Sequence, residues 1–420
     1  MTAGTTDTLK SKSVVRSRNY LIFLVIFMGW VALLDQYISM IKTTAIPYII
    51  EAYDITASDF SWYEALYLAT TFLIFLLNGL NDIIGRKYSI LVLVLMMGLS
   101  SLGVVLFTPT LHLFMVFYTI AMFTTVSNMW SIPVSEEAPA DKRAKYVAIV
   151  YVIGLLPLQA ILPPLLMNVL GLSWKWMYGV VFVLMLPALA MWFFMRETGR
   201  YEVVKGERRA GTRKNHFFGL GVINRQDVRY IIIASAVWLC WLIYQFLYFW
   251  AGYYFMTLHG YTLGQWSTVL LASLVLAIIG GVSAGAIMDR IGRTPAFVGG
   301  CLCLAAILVV LGFGRGWVLP VAAALTGFFT SFTYTWIVVY VPEVFPTERR
   351  GACIGWTTTV ARVSYVVGPA LAAVLLKVFP TMEWFWVVAA GLMLLPIGII
   401  LIANPYETKS HELEEIEHKR

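Results

Sequence analysis

Apolar residues run along this chain in blocks of about twenty, divided by short polar stretches that often carry Gly, Pro, Lys or Arg. A helix needs ~20 mainly apolar residues to cross ~30 Å of hydrocarbon. Blocks of that kind predict membrane-spanning helices at roughly 20–41, 61–80, 89–107, 111–133, 146–167, 174–195, 230–256, 266–288, 295–313, 317–341, 352–376 and 382–403. The third and fourth are separated only by Thr108–Pro109–Thr110, which predicts a tight turn. The segment before the first block is polar and basic, with Lys10, Lys12, Arg16 and Arg18. The first block is too long for a signal-peptide core and no small-residue cleavage pattern follows it, so it reads as an uncleaved span.

Twelve spans alternate the side on which each loop emerges. With the N-terminus inside, the cytoplasmic segments hold 25 of the Lys and Arg residues. The outer loops hold four: Lys42, Lys175, Arg315 and Lys377. That asymmetry is the positive-inside pattern, and it predicts cytoplasmic N- and C-termini in a plasma or inner membrane. It also accounts for the net charge of +7 without a nucleic-acid partner. Only 13% of residues are charged and 60% are hydrophobic, against about a quarter charged in soluble domains. The four cysteines, Cys240, Cys301, Cys303 and Cys353, fall inside apolar runs without zinc or disulfide spacing and read as small core residues.

The chain repeats itself. Asp82-x-x-Gly85-Arg86 is echoed by Asp289-x-x-Gly292-Arg293, and Glu136-x-x-Pro139-x-x-x-Arg143 by Glu343-x-x-Pro346-x-x-x-Arg350. Corresponding positions in both motifs stand 207 residues apart (293 − 86, 343 − 136). The organisation expected is a tail over 1–19, a six-helix bundle over 20–195, a charged connector over 196–229, a second bundle over 230–403 and a tail over 404–420. Parallel repeats of six spans are a transporter architecture.

At these loops the chain resembles the major facilitator superfamily, whose best-known signature is matched by Asp82, Gly85, Arg86 and Lys87. Glu136, Pro139 and Arg143, the run Pro342-Glu343-Val344-Phe345-Pro346-Thr347-x-x-Arg350-Gly351, Glu197-Thr198-Gly199-Arg200 and Pro405-Tyr406-Glu407-Thr408 are similar to the sugar-porter and organic-ion-transporter branch. The chain departs from that branch at Arg196, Gly199, Tyr406 and Ser410. The resemblance implies an all-α fold of two pseudo-symmetric six-helix bundles. It also implies a gating relay of Asp82, Arg86, Glu136, Arg143, Asp289, Arg293, Glu343 and Arg350. Such charges are expected to pair with helix ends and with the neighbouring half, latching one end of the bundle shut.

Polar residues inside the spans speak to the solute, because a charge buried in lipid costs at least ~2.5–3.5 kcal/mol. Asp35 lies roughly 22 Å into the first span and Arg362 roughly 16 Å into the eleventh. Asp35 is the candidate for proton coupling, since a carboxyl in a low-dielectric cavity can cycle its proton as water access alternates. Its bland alternative is a packing carboxyl bonded to a neighbour. Arg362 presents a planar fork suited to an organic anion, or serves as an internal counter-ion holding the halves together. Lys42, Glu51 and Glu64 are expected near the outer boundary, within reach of water.

The seventh span is the most aromatic. Trp241, Gln245 and Tyr248 share a face that either packs within the bundle and at an interfacial aromatic belt, or lines a cavity suited to a sugar ring or an aromatic acid equally. Asn128 in the fourth span, Gln159 beside Pro157 in the fifth and Tyr334 in the tenth complete the candidate substrate site; prolines there can break helix bonding. No Gly-Lys dipeptide, His-Glu-x-x-His or Cys-x-x-Cys occurs, which speaks against an ATP-driven pump, a metal site or an enzyme. The expectation is a monomeric, cofactor-free transporter in the bilayer, coupling protons to a small solute. An organic anion leads; a sugar or polyol, drug export, and a non-transporting sensor remain as alternatives.

Overall fold

The structure, a computed structural model, describes residues 17–73, 84–125, 129–139, 143–199, 201–202, 205–206, 223–345 and 350–408, with backbone alone for 143–145, 350 and 351. All regular elements among them are helical. Ten helices are long and apolar enough to cross a membrane: α1 (Arg18–Tyr53), α3 (Arg86–Leu106), α5 (Tyr146–Val169), α6 (Trp176–Phe194), α7 (Arg225–Leu258), α8 (Leu263–Ile291), α9 (Arg293–Phe313), α10 (Val318–Val344), α11 (Ala352–Val378) and α12 (Glu383–Ala403). At the second and fourth positions stand the shorter α2 (Ala57–Leu68) and α4 (Leu111–Thr124), each running toward residues outside those described. The twelve helices form the expected all-α membrane fold.

Helix starts follow local chemistry. Thr56 and Asp59 form a capping box at α2, and Thr262 and Gln265 form another at α8; each satisfies backbone N–H groups that the first turn leaves unpaired. Thr110 caps α4 directly after the tight turn. The largest departure from expectation is α1, which runs to Tyr53, twelve residues beyond the expected limit at 41. Its polar continuation is shielded by protein rather than lipid. Lys42 and Glu64, expected within reach of water, are therefore fully buried, while Glu51 is exposed.

Packing repeats between the halves. In the first, α3 lies on α6 and α1 on α5; in the second, α9 lies on α12 and α7 on α11. The halves meet through α2 against α11, α5 against α8 and α1 against α7. Outward-facing side chains stay apolar, with Phe193 and Phe194 72% and Ile402 88% exposed. In water such a surface would aggregate; in a bilayer it is the lipid contact. Cys303 belongs to that exposed face, whereas Cys240, Cys301 and Cys353 are buried.

Candidate functional site

Between the halves lies a cavity of about 210 Å³. Its wall takes Gln36 and Ser39 from α1, Gln159 from α5, Trp238, Trp241, Gln245 and Tyr248 from α7, Ser273 from α8, Thr330 and Tyr334 from α10, and Tyr365 from α11. No lining residue carries a formal charge. Three of the helices involved are interrupted. Helix α5 breaks at 155–157, where Pro157 lacks the N–H that would continue the ladder; Gln159 follows immediately. Helix α7 breaks at Phe249–Trp250 and α11 at Arg362–Val363. Discontinuous helices at a repeat interface are the usual makers of a solute site in transporters.

The wall is stiff on the side of the second half. Trp241 donates its indole N–H to Thr333 Oγ1 at 3.1 Å and packs on the Tyr334 ring at 4.8 Å between centroids. Tyr248 donates to the Ala323 carbonyl at 3.3 Å, and the Tyr244 and Thr330 hydroxyls lie 2.6 Å apart. Against this frame three buried polar atoms have no hydrogen-bond partner: Gln159 Oε1, Gln245 Oε1 and Trp238 Nε1. An orphaned buried group costs about 1–3 kcal/mol, which a ligand bearing hydroxyl groups would recover.

Asp35 and Arg362 stand outside the wall. Asp35 is 1% exposed and accepts the Trp130 indole N–H on Oδ2 at 2.9 Å. Arg362, also 1% exposed, donates to the Thr125 carbonyl at 3.0 Å and the Thr71 carbonyl at 3.3 Å. Its guanidinium lies 5.3 Å from the Tyr365 ring centroid, and its Nε has no partner. It thus ties the second half to the backbone of the first. Its hydrogen bonds go to those carbonyls and not to Asp35, although the Asp35 charge acts on it. Asn128 lies outside the described residues.

The relay charges pair within each half. Arg86 binds Glu136 at 2.9 Å, and Arg293 binds Glu343 at 3.1 Å and Asp289 in the preceding turn. Glu136 also accepts the Thr198 hydroxyl, and Glu343 the Thr408 hydroxyl, each at 2.6 Å. Glu197 accepts the backbone N–H groups of Arg86 and Lys87, and Glu407 those of Arg293 and Thr294. A carboxylate so placed meets the positive end of α3 or α9. It can come that close because Gly85 and Gly292 hold φ of +96° and +107°, a backbone that costs glycine little. Among the described residues Arg86 and Arg293 pair with carboxylates of their own bundles, and the expected latch across the halves is not formed there. Asp82 and the side chains of Arg143 and Arg350 lie outside the described residues.

The sequence profile of the Major Facilitator Superfamily matches residues 20–319 and, again, 275–419. The chain belongs to this superfamily. With ten helices among the described residues long and apolar enough to cross a membrane, the chain is a multi-pass membrane protein of that superfamily. It is 24% identical over 340 residues to the Synaptic vesicle 2-related protein of Xenopus laevis, a match covering 68% of this chain and 60% of that protein. It is 26% identical over 144 residues to the Glucose transporter GlcP of Staphylococcus epidermidis, covering 32% and 31%. The chain thus spans less than two thirds of the length of these relatives. In fold it is similar to the inward-open xylose transporter XylE from E. coli, with a TM-score of 0.73 at 17% identity, covering 95% of this chain and 99% of that one. A D-xylose-proton symporter gives a TM-score of 0.70 at 18% identity, covering 91% and 97%.

Within the superfamily fold, the end bearing the 259–262 and 379–382 loops (the far end) is closed. Trp266 donates to Thr44 Oγ1 at 3.1 Å, Phe60 meets Trp250 edge to face, and Ser58 donates to the Ala373 carbonyl at 2.9 Å. Among the described residues, every hydrogen bond between the halves lies in the middle or at this end. One feature of the far end escaped the sequence. Lys42 Nζ binds Glu64 Oε1 at 2.7 Å, and Tyr118 donates to the same oxygen at 2.6 Å. These residues sit on three helices at unrelated spacings, and only the presence of both charges inside apolar runs hinted at a pair.

Proposed function

We propose that the protein is a proton-coupled symporter of a small neutral polyhydroxylated solute, of monosaccharide or polyol size. The observation that carries this reading is the uncharged cavity wall with two orphaned amide oxygens and an orphaned indole N–H. Sugar hydroxyls both donate and accept, and the faces of Trp241 and Tyr334 suit the apolar side of a sugar ring. A carboxylate would find no cation in this wall. The printed names of the xylose and glucose transporters among the similar proteins support the same class.

In this reading Asp35 carries the coupling proton. It lies beside the cavity residues Gln36 and Ser39, and its charge reaches Arg362 and Tyr365 across the seam. Protonation changes the field on both halves, which then rock about the bound solute. With the connector end in the cytoplasm, as the lysine and arginine distribution favours, symport in this reading runs inward down the proton gradient. A second reading, an organic anion bound at Arg362, draws on the free Nε of that residue. Thermal unfolding of the purified protein with D-xylose, D-glucose or benzoate separates them. A sugar at about 100 times its Kd stabilises by about 2.7 kcal/mol while benzoate does not; stabilisation by benzoate alone would reject the neutral-solute reading.

A further inference from the structure

At the far end the two halves approach one another backbone to backbone. Gly252 of α7 lies so near α1 that a Cβ there would collide with the Thr43 carbonyl. Lys42, the neighbour of Thr43 on α1, is a fully buried cation at this approach. An ammonium has three N–H donors. Among the described residues it makes one hydrogen bond, to Glu64 Oε1 at 2.7 Å. It also faces two rings of the opposite half, Phe246 at 4.7 Å and Phe249 at 4.3 Å to the centroids. Glu64 of α2 accepts the Tyr118 hydroxyl of α4 at 2.6 Å as well, so the first half fixes where the cation stands. Both rings belong to the cavity wall, and Lys42 does not.

We propose that Lys42 is a positioning residue that closes the far end over the cavity, holding Phe246 and Phe249 by their π faces. A cation within about 6 Å of a ring centroid is attracted by the ring quadrupole, more strongly once desolvated. Here that attraction spans the seam, with the cation and its carboxylate from the first half and the rings from the second. The hydrogen bonds at this end, from Trp266 to Thr44 and from Ser58 to Ala373, touch no cavity residue. The Lys42 contact differs because the groups it holds are part of the solute wall. Parting the halves carries the rings away and hands the ammonium to water. The contact therefore exists only in the closed state and biases the equilibrium toward it. No proton is taken up or released. The inference shares with the proposed function only the premise that the far end opens; neither the solute nor the proton carrier enters it.

The test is the distance across the far end, read by double electron–electron resonance between spin labels at the exposed positions Ala52→Cys and Thr257→Cys. The labels are placed in the full chain in lipid nanodiscs, with exposed Cys303 replaced (Cys303→Ser). Phe246 and Phe249 are exchanged for phenylalanines bearing one, two or three fluorines, which drain the π face and nearly keep the ring's shape. The ratio of the longer to the shorter distance should climb with each fluorine, by about two- to fivefold for each trifluorinated ring. In Lys42→Met with Glu64→Gln, which removes both charges, the same series should leave the ratio unchanged. Gly252→Leu, whose side chain meets the Thr43 carbonyl, should show the longer distance and so marks the open state. A ratio that ignores fluorination while Gly252→Leu is open, or that rises equally without the Lys42 charge, would overturn the proposal. The shorter distance in every variant, Gly252→Leu included, would overturn the opening of the far end, and with it both this contact's role and the rocking of the halves.

Discussion

Replacing Gln159 or Gln245 by Leu removes one of the two orphaned amide oxygens in the cavity wall without altering charge. Each change should weaken D-xylose binding by roughly 5- to 15-fold, the value of one net hydrogen bond of about 1–1.5 kcal/mol. Solute counterflow in proteoliposomes measures it, and unchanged half-saturation in both variants would show that the solute does not touch these amides. Both residues were legible in the sequence as amides inside apolar blocks. Arg362 was legible as a buried charge, but its partners were not: the carbonyls of Thr71 and Thr125 leave no mark on side-chain identity. Lys42 and Glu64 were seen but misplaced, because the polar end of α1 looked like the end of the span.

At the scale of the element, the decisive devices are the two capped helix starts at α3 and α9. Glu407 follows Glu197 by 210 positions (407 − 197), and Thr408 follows Thr198 by the same interval. The structure gives both pairs the same partners in the two bundles. Glu197→Gln and Glu407→Gln should therefore each cost about 1–2 kcal/mol in unfolding from mixed micelles. Sites this far apart act independently, so the double variant should show their sum. A cost confined to one half would contradict the equivalence. The 207-residue repeat made Gly85 and Gly292, Arg86 and Arg293 legible as counterparts. It did not reveal that each arginine is held within its own bundle, because a repeat records which positions correspond and not which positions touch.

At the scale of the molecule, the two bundles are closed on one another at the far end and joined in the middle through Arg362. The neutral cavity lies between them, with Asp35 just behind its wall. The overall architecture was legible because lipid imposes a length on every span and the repeat imposes a symmetry. The chemistry of the cavity was not, since it depends on which faces of separate helices converge. The central claim is that Asp35 links proton movement to solute movement through this cavity. Its most direct test is D-xylose uptake into proteoliposomes under an inwardly directed proton gradient, comparing wild type with Asp35→Asn. Wild type should accumulate the sugar above its external concentration and lose that accumulation when the gradient is collapsed, while Asp35→Asn should exchange the sugar without concentrating it. Concentrative, gradient-dependent uptake by Asp35→Asn would contradict the account.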